Sequence, residues 1–238
     1  YVEIESNIYY NSSQVASVDT LRTNIIDTLE KYSKDVDMNR FGGRFKYSKI
    51  LQLIDRVDTA ITSNITKVKI RRDMKALVNQ FAQYEICFGN RFNVKPNGLN
   101  IKSTGFKLVG EASVVYLTDL PNADLKTGVI SIIKIGSNGQ RIVVAKEAGV
   151  VDYMKGEVIL NTLNIVETER PNNIIEIQAF PESNDVVGLK DLYLSFNVPS
   201  STINMVKDVI ASGEDISGVS FTRDYYTSSY SNGDLERK

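Results

Sequence analysis

The chain has 238 residues, with 28 Lys and Arg against 29 Asp and Glu, one cysteine and no histidine. The missing histidine excludes Ser-His-Asp and Cys-His catalysis, and a single cysteine excludes an internal disulfide and a zinc site of the His/Cys type. A net charge of -1 gives no basic footprint for nucleic acid, and no apolar run reaches the roughly 18–20 residues of a membrane helix.

A length of this order supports one large domain or two modest ones, folding without staples. The chain opens at Tyr1 and not at Met, so a preceding segment is expected. The first predicted element is a helix from about Ser13 to about Tyr32. Val15, Val18, Leu21, Ile25, Leu29 and Tyr32 recur at three- and four-residue steps and make one apolar stripe. Ser12 or Ser13 is the expected cap, Asp19 suits the positive end of the helix dipole, and Lys31 and Lys34 suit the negative end. Gly42-Gly43, between Phe41 and Phe45, predicts a tight turn.

A second helix is predicted from about Ser48, with Ile50, Ile54, Val57 and Ile61 on one face. Thr66 to Arg71 alternates small or apolar residues with basic ones and reads as a half-buried strand, its outer face of Lys67, Lys69 and Arg71 turned to solvent. From about Val78 the pattern becomes a succession of short strands: Phe81–Phe88, Ser113–Leu117, Val129–Ile135, Arg141–Lys146, Gly156–Ile165, Ile174–Phe180 and Leu192–Phe196. Ser137-Asn138-Gly139 between two of them predicts a hairpin tip. After Pro199 the spacing of Ile203, Val206, Val209 and Ile210 predicts a short helix ended by Gly213. The segment from Ser217 to Lys238 carries Tyr225, Tyr226 and Tyr230, more aromatic than a purely solvated tail, and reads as an arm lying on a neighbour, with a frayed terminus as the equal alternative.

The fold class expected is therefore α+β. An N-terminal helical pair (residues 1–75) leads into a β-rich domain of short, mostly antiparallel strands (76–197), followed by a short C-terminal helix and an arm (198–238). No phosphate loop, dinucleotide fingerprint or calcium loop occurs. The carboxylate pairs Asp35/Asp37 and Glu167/Glu169 are the nearest approach to glycosidase chemistry, but the second lies at period two on one strand face and reads as structural. Cys87, in the run Tyr84 to Phe88, reads as a small core residue. Neither a catalytic group, a metal site nor a cofactor is expected.

The order Val18-Asp-Thr-Leu-Arg-Thr-Asn-Ile25, a glycine-bearing turn, Tyr47-Ser-Lys-Ile-Leu-Gln-Leu-Ile-Asp55 and a strand opening Ile65-Thr-Lys-Val68 resembles the helix–turn–helix–strand unit of the baseplate J-like family of contractile tails. Gly156-Glu-Val-Ile-Leu160, running into Leu163 and Ile165, is similar to that family's C-terminal strand region. Taken whole, the chain resembles the C-terminal part of a baseplate wedge protein of a contractile-tailed, T-even type bacteriophage; the loop from Phe41 to Phe45 is longer and more aromatic than the family's usual turn.

The resemblance implies a structural role in the virion tail baseplate, with assembly in the host cytoplasm. It also implies pairing as a homodimer, closure into a ring of subunits and contact with other wedge proteins, with no nucleic acid, membrane or small-molecule substrate. Candidate interface residues are Val18, Leu21, Ile25 and Leu29 on the first helix, and Ile203, Val206 and Ile210 near the end. Burial in the chain's own core is the competing reading of both stripes. A carbohydrate- or receptor-binding β module, using exposed tyrosines and strand loops, is the alternative function.

Overall fold

The structure, a computed structural model, describes residues 1–35 and 38–208 and, as backbone, 230–231 and 234–235. It opens with β1 (Val2–Tyr10), followed by α1 (Val18–Ser33), β2 (Arg40–Phe41), β3 (Arg44–Phe45), α2 (Tyr47–Asp55) and the long β4 (Ile61–Lys75). Next come β5 (Phe81–Cys87), β6 (Lys102–Ser103), β7 (Phe106–Leu108), β8 (Tyr116–Pro121), β9 (Thr127–Ile135), β10 (Arg141–Asp152) and β11 (Glu157–Thr168). A short 3-10 turn at Pro171–Asn173 leads to β12 (Ile174–Ala179), β13 (Val186–Val187), β14 (Tyr193–Leu194) and β15 (Thr202–Lys207), and the described residues end in β16 (Tyr230–Ser231) and β17 (Asp234–Leu235).

One sheet organises the molecule, in the order β15-β1-β4-β12-β6-β8-β9-β10-β11-β5, with β7 paired to β11 beside that path. Its ladders are antiparallel apart from β1–β15, which is parallel. The period-two rule turns one face inward. Val2, Ile4, Ile8 and Tyr10 of β1, Val68, Ile70 and Met74 of β4, and Ile175 and Ile177 of β12 are all buried there. Leu117, Ile130, Ile132, Val151, Val158 and Leu160 continue the same buried surface across β8 to β11.

The helices close this core at the β1–β4 end. Ser17 caps α1, its hydroxyl accepting from Thr20 N at 3.3 Å, and Leu21, Ile25 and Leu29 are buried. The helix therefore begins at Val18, later than the predicted Ser13, and the cap is Ser17. Helix α2 buries Ile50 and Ile54, and Tyr47 anchors it by donating its hydroxyl to Thr66 O at 2.9 Å. Val57 and Ile61 lie past its end, Ile61 opening β4. The rings of Tyr32 and Phe45 each meet Phe196 edge-on, at centroid distances of 6.4 and 5.4 Å. The tight turn expected at Gly42-Gly43 forms, with Gly43 N donating to Arg40 O at 3.2 Å and Gly42 at φ 64°, and its flanking strands pair outward, β2 with β14 and β3 with β13.

The β-rich, mostly antiparallel body is as expected, but the helices do not lead it. They lie between β1 and β4, which pair with each other, and β1 precedes them. The predicted C-terminal helix is corrected by β15. Ile203 and Val206 belong to a strand, because Thr202–Lys207 completes a ladder with Glu5–Tyr10 that a helix would forgo. Val209, Ile210, Gly213 and the tail tyrosines' side chains lie outside the described residues.

The strand expected at Ser113–Leu117 forms three residues later, at Tyr116–Pro121, and only Tyr193–Leu194 of Leu192–Phe196 is strand. The expected hairpin tip joins β9 to β10, with Gly136 N donating to Gln140 O at 2.8 Å and Gly139 at φ 77°. At the next hairpin Gly156 has φ 69°, and a Cβ there would run into Asn90 O, so two constraints select glycine.

Candidate functional site

Strand register defines what the outer face of the sheet carries. Arg71 pairs with Gln178, Gln178 with Lys102, Lys102 with Thr118 and Thr118 with Ser131, so these residues share one row on one face from β4 to β9. The β1–β4–β12 end of this face is a ladder of charge. Lys69 Nζ lies 2.8 Å from Glu5, and Arg71 lies 2.8 Å from Glu3, 3.0 Å from Asp73 and 3.5 Å from Glu176, which also meets Arg170 at 3.1 Å.

The guanidinium of Arg71 sits 4.5 Å from the Tyr1 ring centroid, and Arg71 is buried, not solvated as its place in the basic alternation predicted. The long run of opposed carboxylates supplies the reason: a strand face that neutralises its own cation can enclose it. Glu3 is buried too, and accepts from Gln178 Nε2 at 2.9 Å. Desolvation, helped by the Glu176 charge and opposed by Arg71, pushes its carboxyl above the ordinary value. The more exposed Glu5 is held below its ordinary value by the hydrogen bond and charge of Lys69.

The β8–β11 end of the same face is apolar and open. Leu120 stands opposite Val129, Val129 opposite Val150 and Val150 opposite Ile159, one row across the strands. Tyr116, Ile133 and Val143 form a second row, and Ile135 faces Arg141 beyond it. Leu120 is 56% exposed, Val150 53%, Val143 51%, Ile135 51% and Ile159 41%. Antiparallel strands with one wet face normally place polar residues there, so an outward row of aliphatics is the departure that calls for a partner. Leu99, Lys102, Tyr116, Ile133, Ile135 and Arg141 line a groove of about 470 Å³ at this end. Beneath it Asp119 is buried, accepting from Tyr153 Oη at 2.7 Å and from Ile101 N at 2.7 Å. Burial, aided by that bond, holds the Tyr153 phenol well above its ordinary pKa.

The structure distributes the sequence-derived candidates as follows. Leu21, Ile25, Leu29 and Ile203 are buried in the chain's own core, while Val18 and Val206 are half-buried on its surface and Ile210 lies outside the described residues. Glu167 meets Lys107 at 2.7 Å and Glu169 accepts from Gly105 N at 2.9 Å, so each carboxylate has a separate structural partner. Asp37 lies outside the described residues. Cys87 is a free, half-buried thiol at the sheet edge. The aliphatic row on the outer face was missed; each of its members sits in an unremarkable strand, and only the register aligns them.

A continuous sheet with one closed core face and an outer face that is charged at one end and apolar and open across β8 to β11 suits contact with other polypeptides, and the class it defines is a β-rich structural protein. Residues 1–73, comprising β1, both helices and nearly all of β4, match the family described as baseplate structural protein gp6, C-terminal domain III. This stretch is thereby similar to the C-terminal part of such a baseplate protein, and the match supports a structural role in the tail baseplate of a phage virion. No curated protein matches the chain.

Proposed function

We propose that the chain is a wedge component of a contractile-tail baseplate, in which copies pair as a homodimer, join a ring of subunits and bind other wedge proteins. The ring holds the baseplate together during assembly in the host cytoplasm and during its change of shape on infection. The observation that carries this reading is the match of residues 1–73 to the gp6 domain. In this reading 1–75 is the family unit, 76–197 the β-rich body and 198–238 the terminal element and arm.

We assign the self-contact to the edge where α1 meets β15. The second edge of β15 has no strand on it among the described residues; half-buried Val18 lies on α1 beside it, and half-buried Val206, opposite Tyr9, lies on the other face of the same edge. Sedimentation equilibrium of the chain across a wide concentration range tests it. A dimer at micromolar concentration, dissociated by Val206→Asp, is the expected result. A monomer at every concentration overturns the self-contact and leaves assembly to other wedge proteins.

A further inference from the structure

We propose that the outer face of β8 to β11 is the seat of an amphipathic helix from a neighbouring polypeptide, its apolar stripe on Val129, Val150, Val143 and Ile135 along β9 and β10 and its acidic flank on Lys102 and Arg141. This rests on the assembly reading and adds a partner of defined chemistry at a surface remote from the α1–β15 edge.

Hydrogen bonding selects the kind of partner. Around the aliphatic row β8, β9, β10 and β11 are each paired within the sheet, as in Leu120–Val129, Val150–Val129 and Val150–Ile159. The face therefore offers no free backbone ladder, and whatever covers it must satisfy its own backbone while burying apolar side chains. A lone extended segment fails this requirement, whereas a helix meets it internally.

The dimensions agree. From Val129 to Ile135 the track is about 20 Å long, and from β8 to β11 about 14 Å wide, by the rise and spacing of strands. A helix of about 13 residues has that length and a diameter of about 10 Å. The groove bounded by Leu99 and Lys102 on one side and Arg141 on the other is a trough for such a cylinder.

Charge selects polarity. Lys102 and Arg141 line the groove and neither forms an ion pair among the described residues. At the far end of the same strands Asp152 and Glu157 stand opposite each other, with Lys155 Nζ 3.9 Å from Asp152. The potential along the face thus runs from positive at the groove to negative at the β10–β11 turn. A helix seated with its N-terminus over Asp152 and Glu157 and its C-terminus over Lys102 and Arg141 aligns its dipole with that field. Carboxylates on its flank complete the match at the groove.

The test titrates the full chain into two labelled peptides of about 14 residues with the same leucine stripe at helical spacing, one flanked by Glu and one by Lys. Fluorescence anisotropy should show the Glu peptide binding with Kd below about 100 µM and the Lys peptide at least about tenfold weaker. Val150→Asp should weaken binding at least about tenfold, and Arg141→Glu should reverse the preference between peptides. Both side chains are exposed, so neither change disturbs the core.

Absence of binding by either peptide up to about 1 mM overturns the proposal, and equal binding of both overturns its charge assignment. If no peptide binds and Val150→Asp converts a dimer to a monomer, the occupant is a second copy. If no peptide binds and Val150→Asp lowers the melting temperature of a monomer, the chain's own residues already cover the face. Loss of self-association at Val206 leaves the peptide readout intact, so the two readings fail separately.

Discussion

Replacing Arg71 by methionine leaves a carboxylate cluster without its central cation. Glu3, whose side chain is 3% exposed, loses its closest counter-ion, Asp73 loses its ion pair, and Glu176 keeps the wetter Arg170. Removing one member of a buried ion pair costs about 3–5 kcal/mol, because the remaining charge is stranded in a poorly solvated site. The lower part of that range applies, since Asp73 and Glu176 are 26% and 17% exposed and water screens them in part. Arg71 Nε, 3.0 Å from Asp73, is not aligned for a hydrogen bond, so the loss is chiefly of charge.

The expected destabilisation is therefore about 3 kcal/mol in urea unfolding followed by far-UV circular dichroism. Adding Glu3→Gln to Arg71→Met removes the stranded charge and keeps an acceptor for Gln178, and should recover about 2 kcal/mol of that loss. A loss below about 1 kcal/mol for the single change, or additivity of the pair within about 0.5 kcal/mol, would refute the account of a cation that neutralises a buried ladder.

Burial raises the Glu3 carboxyl above the ordinary 4.5, so the folded chain holds this proton to higher pH than the unfolded chain does. Its contribution to stability is then present below the unfolded value and lost as pH rises through the folded one. Glu3→Gln should flatten a decline in stability that begins near pH 4.5, and an unchanged pH profile of urea midpoints would contradict the assignment. Tyr153→Phe deprives the buried Asp119 carboxylate of its hydroxyl donor and should cost about 2 kcal/mol in the same unfolding assay, with the fold intact; a loss within about 0.5 kcal/mol would show that water replaces the bond. Leu21→Asp puts a charge into the α1 contact with the core and should prevent folding of the chain, seen as lost circular dichroism, before any effect on association can be measured. A folded Leu21→Asp chain would mean that α1 is not anchored by this residue.

The parts of the fold written in local pattern were legible. Leu21, Ile25 and Leu29 repeat at four-residue steps and are the buried stripe of α1, and Asn138-Gly139 marks the turn between β9 and β10. Strand β1 escaped notice because Ser6 interrupts the inward apolar series of Val2, Ile4 and Ile8. Its partner Thr66, whose hydroxyl lies 2.7 Å from that of Ser6, is 60 residues away. The helix read into Ile203, Val206 and Val209 failed for a related reason. A three-residue step is weak evidence over so short a segment, and an unfilled edge beside β1 decided the outcome. Arg71 was assigned to the correct outward face, yet the depth of that face depends on Glu3 and Glu176, contributed by β1 and β12, strands far apart in the sequence.

The two ends of the outer face treat the same problem in opposite ways. At β1, β4 and β12 Lys69 finds its complement in Glu5 and Arg71 in Glu3 on the adjacent strand, so the buried charge of this face is neutralised within the chain. At β8 to β11 no such completion is available, because aliphatic side chains standing on an open sheet can touch their cross-strand neighbours on one side only. Folding alone gives no advantage to Val150 or Ile159 over threonine at these positions, since both point away from the core formed by Val151, Val158 and Leu160. Their identity is accounted for by burial against something further. Lys102 and Arg141 beside them, without an ion pair among the described residues, make the same demand in charge. A face that is self-sufficient at one end and incomplete at the other, within one continuous sheet, directs a partner to the incomplete end.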